Sequence, residues 1–216
     1  MSSFHTLFIT NPASNKNSYQ SFSRILARRH KNLARLVQKK GPIEQKVPAW
    51  RSVDDAVLYS VIGQMISLSA ACSIIGRLLQ RYGSSKKVTE WAYKTRNIPG
   101  PVCGVPQRKR KALSEWFKFK KSNHNPHLKW RSSESYDFRA EITGLWGFGD
   151  WAADMIGIFY LGRMDIWPKT DTGLLRACKE VIGTDDSRKI IKYVKGCETI
   201  AALYLWEYLD QKVKIL

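Results

Sequence analysis

The stretch Glu141–Cys178, EITGLWGFGDWAADMIGIFYLGRMDIWPKTDTGLLRAC, decides how the chain is read. It predicts a helix, a tight turn at Leu145-Trp146-Gly147-Phe148-Gly149, an apolar helix over 150–161, a short loop, and a further helix after Asp171. Two glycines one residue apart allow positive φ and leave neighbouring amides uncovered. Amides at a helix N-terminus attract anions, because their unsatisfied N–H groups and the helix dipole both favour negative charge. The loop that follows ends on Asp171, twenty residues past Trp151. One short segment therefore offers an anion cradle and a single carboxylate.

Charge points the same way. The 216 residues carry 36 lysines and arginines against 18 acidic residues, a formal charge of +18, which suits a polyanion such as nucleic acid or an anionic membrane. No apolar run reaches the ~18 residues that a spanning helix needs. Met1–Tyr19 lacks the apolar centre of a signal peptide, so an intracellular protein is expected, with no membrane partner. The four cysteines are scattered without a C-x-x-C pair, which argues against zinc, and Cys72 and Cys178 fall in apolar helical patterns as expected buried thiols. His124 and His127 flank Pro126, which implies a loop rather than a metal site.

Outward from the central stretch, helices dominate. Residues 1–20 read as a flexible leader. Residues 22–40 read as an amphipathic helix stopped by Gly41-Pro42, its basic face either solvated or on phosphate. Ser52 is an expected N-cap for a long apolar helix, a second helix covers 70–80, and Gly83 is its expected stop. Residues 84–101 suggest a helical turn or two and a loop, and Pro106 opens a helix. That helix carries the basic run Arg108, Lys109, Arg110 and Lys111, which reads as a phosphate clamp, a nuclear-type signal or a solvated face. Residues 122–136 look loop-like, and helices are expected over 187–195 and 198–212. No strand is expected, so the fold class is all-α, as one compact unit or two small subdomains.

The hairpin, the following Gly149-Asp150-Trp151-Ala152-Ala153, and Asp165-Ile166-Trp167-Pro168-Lys169-Thr170-Asp171-Thr172-Gly173-Leu174-Leu175-Arg176 together resemble the helix-hairpin-helix DNA glycosylase superfamily, which includes endonuclease III and 3-methyladenine DNA glycosylase II. The resemblance implies two helical lobes over 21–216 with a DNA cleft between them, one lobe from the terminal helices and the second roughly 65–165. It implies that Asp171 drives glycosidic bond cleavage; without the hairpin, the residues alone favour a simple N-cap. Bifunctional members carry a lysine two residues after the second hairpin glycine, where this chain has Trp151, as the alkylpurine enzymes do. Gln64-Met65-Ile66-Ser67 with Ala70-Ala71 is similar to the family's wedge turn, so Gln64 or Met65 is expected to fill the gap left by a flipped nucleotide. Periodicity alone would put Met65 in the core.

The remaining expectations follow from the same resemblance. Trp151, Trp146 and Trp206 are candidates for the base pocket. Gly147, Gly149 and Trp151, with Arg108, Lys109 and Arg110, are candidates for DNA phosphate. The backbone carbonyls of Leu145 and Gly147 are candidates for a monovalent Na+ or K+. The four-cysteine motif of endonuclease III is absent, so no iron–sulfur cluster is expected. The implied activity is monofunctional excision of alkylated purines from double-stranded DNA, by a monomer located with DNA. A bifunctional or mismatch/oxidised-base glycosylase and a non-catalytic DNA-binding protein are the alternatives.

Overall fold

The computed structural model describes residues 24–26, 28–41, 50–123, 126, 130 and 135–215. The leader expected over 1–20 lies outside the described residues, as do His124 and His127. The helices with described bounds are α1 Lys31–Lys40, α2 Val53–Gly63, α3 Leu68–Tyr82, α4 Ser85–Thr95, α5 Gln107–Ser122, α6 Ser135–Thr143, α7 Asp150–Phe159, α8 Thr172–Val181, α9 Ser187–Val194 and α10 Glu198–Ile215. No strand occurs among the described residues, only an isolated bridge between Val102 and Val105. The fold is all-α.

The chain divides into two compact units, Trp50–Leu161 and the segments ending at Ala49 and beginning at Gly162. The first unit starts well before residue 65 because α2 is its centre. Val53, Ala56, Val57, Leu58, Val61 and Ile62 are all buried, so α2 is apolar around its circumference, and it packs on α3, α4, α5 and α7. Ser52 caps it through a reciprocal box with Asp55, at 3.1 and 3.0 Å. The one buried acid on α2, Asp54, accepts from the Trp116 indole at 2.8 Å and pairs with Lys120. Gly83 closes α3 in the left-handed conformation. The segment after it is a full helix, α4, rather than a turn or two: Ser84 caps it, and Val88 and Ala92, four residues apart, seat it in the core.

In the other unit α10 packs against α1, α8 and α9 around Leu33, Val37, Leu174, Ala177, Ile190, Ala201 and Leu205. The expected helix over 22–40 is interrupted at His30, whose backbone is extended, and α1 starts one residue later. Tyr204 donates to Gly41 O at 2.9 Å and Lys40 pairs with Glu207, so the end of α1 is fixed to α10. Cys178 is fully buried here, and burial pushes its thiol up to about 12. Cys197 is buried too, whereas Cys72, expected in the core, is only half-buried on the outer side of α3. No helix among the described residues is long and apolar enough to cross a membrane.

Candidate functional site

The hairpin forms from α6, a five-residue turn and α7. Gly144 N–H donates back to Ala140 O and Leu145 N–H to Ile142 O, so α6 unwinds in tightening turns. Phe148 N–H then closes the turn on Leu145 O at 3.1 Å, and Phe148 itself is buried. The two glycines have different jobs. Gly147 sits at φ 87°, and a Cβ there would lie 2.6 Å from the Ala112 Cβ on α5, so both backbone conformation and close approach demand glycine. Gly149, expected to share the positive φ, is instead extended at φ −109°, with open space where a side chain would stand. Gly149 is the N-cap of α7, and no side chain caps that helix end. Arg139 on α6 pairs with Asp150 at 2.9 Å and with the buried Asp154, bracing the two arms of the hairpin. Sequence reading missed this brace.

Beside the hairpin lies an open cavity of about 530 Å³ lined by Gln64, Met65, Pro106, Arg108, Lys109, Ala112, Gly147, Phe148 and Gly149. The turn between α2 and α3 thus meets the hairpin. Met65 is not in the core. It is 96% exposed and sits at φ 59°. A left-handed non-glycine residue costs about 1–3 kcal/mol, and it persists only where its surroundings over-determine it. Here the surroundings are polar. Gln64 Nε2 donates to Gly147 O at 3.1 Å, and Lys109 Nζ donates to Ile62 O at 2.6 Å and Gln64 O at 2.9 Å. Gln64, one of two wedge candidates, is therefore tied to the hairpin, while Met65 projects.

The basic run divides by helical face. Arg110, expected on phosphate, is fully buried and donates to the carbonyls of Thr95, Ile98, Gly100 and Val105 over 2.5–3.3 Å. It clamps the loop between α4 and α5. The spacing could have shown this, because Arg110 stands three residues before the buried Leu113 and six before Trp116, on the inner face of α5. Lys109, also expected on phosphate, is half-buried and caps the end of α2; burial pulls its ammonium below the usual lysine range. Arg108 stays exposed. Lys111, three residues on and absent from the expected phosphate set, shares its face: its Nζ lies 4.4 Å from the Trp146 ring centroid and Arg108 Cζ lies 6.0 Å away. Trp146 is 42% exposed and stacked by cations, which suits it to the phosphate side rather than to a cationic base. Trp151 is half-buried against the core, with its ring edge over Gly63 of α2.

In the other unit, Thr199 N–H donates to Met164 O and its hydroxyl accepts from Ile166 N–H, which fixes the loop after α7. A tight turn with Asp171 N–H on Pro168 O at 3.0 Å then delivers Asp171 as the N-cap of α8. Its Oδ1 accepts from Leu174 N–H at 2.6 Å and from the Trp206 indole N–H at 3.1 Å. Trp206, expected in a base pocket, is thus a carboxylate partner, brought from 35 residues away by the packing of α10 on α8. The carboxylate thus stands at a helix N-terminus with N–H donors from α8 and α10 against it. Among the described residues no cluster of three histidines, cysteines or acids stands close enough to hold a metal.

No family model matches the chain. An alkylbase DNA glycosidase-like protein of Schizosaccharomyces pombe is 26% identical over 187 residues, covering 80% of this chain and 85% of that protein. A DNA-3-methyladenine glycosylase of Saccharomyces cerevisiae is 23% identical over 71% of the chain, which spans only 56% of that enzyme. Among solved structures, the 3-methyladenine DNA glycosylase of Schizosaccharomyces pombe in complex with abasic DNA superposes with a TM-score of 0.72 at 21% identity, over 88% of this chain and 97% of that one. With a hairpin tied to the turn at Met65 and an aspartate heading α8, the chain is similar in sequence to proteins named as alkylbase and 3-methyladenine DNA glycosylases and shares the all-α fold of the latter.

Proposed function

We propose that this protein is a monofunctional DNA glycosylase of base excision repair that removes alkylated purines of the 3-methyladenine type from double-stranded DNA, acting as a monomer wherever the DNA is. The observation that carries the reading is Met65. A protein that only grips phosphate has no use for an exposed apolar side chain held in a strained turn beside its hairpin, whereas base extrusion needs one to fill the stack. The relatives support the substrate class by their names and by the abasic DNA bound to one of them.

The uncapped start of α7, with Gly147, Gly149 and the Trp151 backbone, receives a DNA phosphate, and Arg108 and Lys111 add charge beside it. The carbonyls of Leu145 and Gly147 fit a monovalent cation. Leu145 O accepts from Phe148 N–H and Gly147 O from Gln64, and a carbonyl oxygen has two lone pairs to offer. Such an ion would add positive charge at the phosphate. Trp151 offers its ring to the flipped base, because a cationic purine is drawn to an indole face. The glycosidic bond then breaks with its electron pair on the departing base, which neutralises the alkylated ring. Asp171 stabilises the positive charge left on the sugar and orients the water that adds to it, while Trp206 keeps the carboxylate in place.

A lyase step would need an amine to form a Schiff base with the sugar. Trp151 stands where bifunctional members have that lysine. Borohydride is therefore expected to trap no covalent protein–DNA adduct, and product strands should break only after alkali. A trapped adduct would move the reading to a bifunctional enzyme, with Lys169 the first lysine to replace.

A further inference from the structure

We infer that Lys109 and Gln64 are positioning residues that lock Met65 at a fixed offset from the phosphate held by the hairpin, so that gripping and wedging act as one rigid device. The inference rests on the glycosylase reading for its biological meaning, but not for its geometry. Three hydrogen bonds converge on one short turn. Lys109 Nζ reaches Ile62 O and Gln64 O, the carbonyls on either side of Gly63 at the end of α2. The Gln64 amide reaches across to Gly147 O, inside the hairpin turn. Ile66 N–H returns to Gly63 O at 3.5 Å, a weak closure that would not hold the turn by itself. Ser67 then caps α3, so the chain beyond Met65 is already committed to helix.

Met65 follows directly on these fixed points, and it is 96% exposed. Its left-handed backbone would relax if the brackets were removed, because exposure gives it no packing to keep the conformation. A wedge must resist the base stack that it displaces. A loop that is ordered before binding loses less entropy on insertion than one that is ordered by insertion. The Gln64 link also has a geometric consequence. Gly147 belongs to the turn that meets the phosphate, so the wedge enters a set distance along the strand from the gripped phosphate.

The test uses the full chain and a duplex carrying a tetrahydrofuran abasic analogue next to 2-aminopurine, whose fluorescence rises when a wedge unstacks it. Wild type, Met65→Ala, Lys109→Met, Gln64→Ala and the Met65→Ala/Lys109→Met double variant are compared, with affinity for an undamaged duplex and melting temperature read alongside. Lys109→Met and Gln64→Ala are expected to reduce the fluorescence rise at least fivefold while undamaged-duplex affinity changes less than about twofold. The double variant should be no worse than Met65→Ala, because a positioning residue has no effect once its wedge is gone. If Lys109→Met does not fold, Gln64→Ala and the Met65→Ala/Gln64→Ala double variant carry the same comparison. An unchanged fluorescence rise in both single variants, or losses that add to that of Met65→Ala, would overturn the inference. If wild type unstacks the probe yet releases no base from alkylated DNA, the glycosylase reading fails and the positioning role stands.

Discussion

Replacing Asp171 with asparagine is expected to lower single-turnover base release by on the order of 10²–10³-fold, the scale of losing one electrostatic stabiliser of a transition state, while leaving duplex affinity nearly unchanged. The structure makes this a clean substitution. The hydrogen bonds from Leu174 N–H and the Trp206 indole arrive on the same oxygen, Oδ1. An asparagine retains one oxygen and is itself a favoured N-cap, so α8 keeps its start. What is lost is the negative charge that opposes the developing sugar cation. Single-turnover excision beside a binding titration separates the two effects. Unchanged excision would leave Asp171 a helix cap and nothing more.

The second large effect divides the hairpin glycines. Gly147→Val should destabilise the fold by about 2–6 kcal/mol, since it combines a strained left-handed valine with overpacking against α5. For a chain of this size that lowers Tm by roughly 5–20 °C. The cause is local: a Cβ at Gly147 lies 2.6 Å from Ala112, whose own Cβ is fixed to the helix backbone and has no rotamer to escape into. Gly149→Val meets open space at an ordinary φ, so only the weaker N-cap preference of valine acts, about 1 kcal/mol. Its isopropyl group stands in front of the first amides of α7, where the phosphate would approach. Affinity for every duplex, damaged or not, should fall roughly tenfold, because phosphate contacts carry no sequence information. Thermal melting and binding titrations of the two variants test this together. Equal stability losses would contradict the assignment of separate roles.

The sequence revealed the parts of this molecule that lie close together in the chain. Helix caps at Ser52 and Gly83, the hairpin, and Asp171 heading α8 are all local patterns, and local patterns fix local backbone. It was less informative where one helix serves several masters. Arg108, Lys109, Arg110 and Lys111 are four adjacent cations with three different fates, because successive residues on α5 point about 100° apart: two face outward, one caps α2 and one is buried. Met65 was ambiguous for the opposite reason. Its apolar neighbours continue the helical period, and only Lys109 and the hairpin, distant in sequence, break α2 at Gly63 and turn the side chain outward. The Trp206 contact to Asp171 had no local signal at all, since it depends on the packing of α10 on α8. Trp146 looked like a stacking platform until Lys111 appeared over its ring.

Base release is what makes this protein a glycosylase rather than a DNA-binding module. The most direct measurement incubates the full chain with dimethyl-sulfate-treated duplex DNA and identifies the freed bases by chromatography and mass. Free 3-methyladenine or another N-alkylated purine is expected, with intact abasic strands until alkali is added and release lowered at least a hundredfold by Asp171→Asn. No released base from this DNA, with duplex binding intact, would contradict the proposed function.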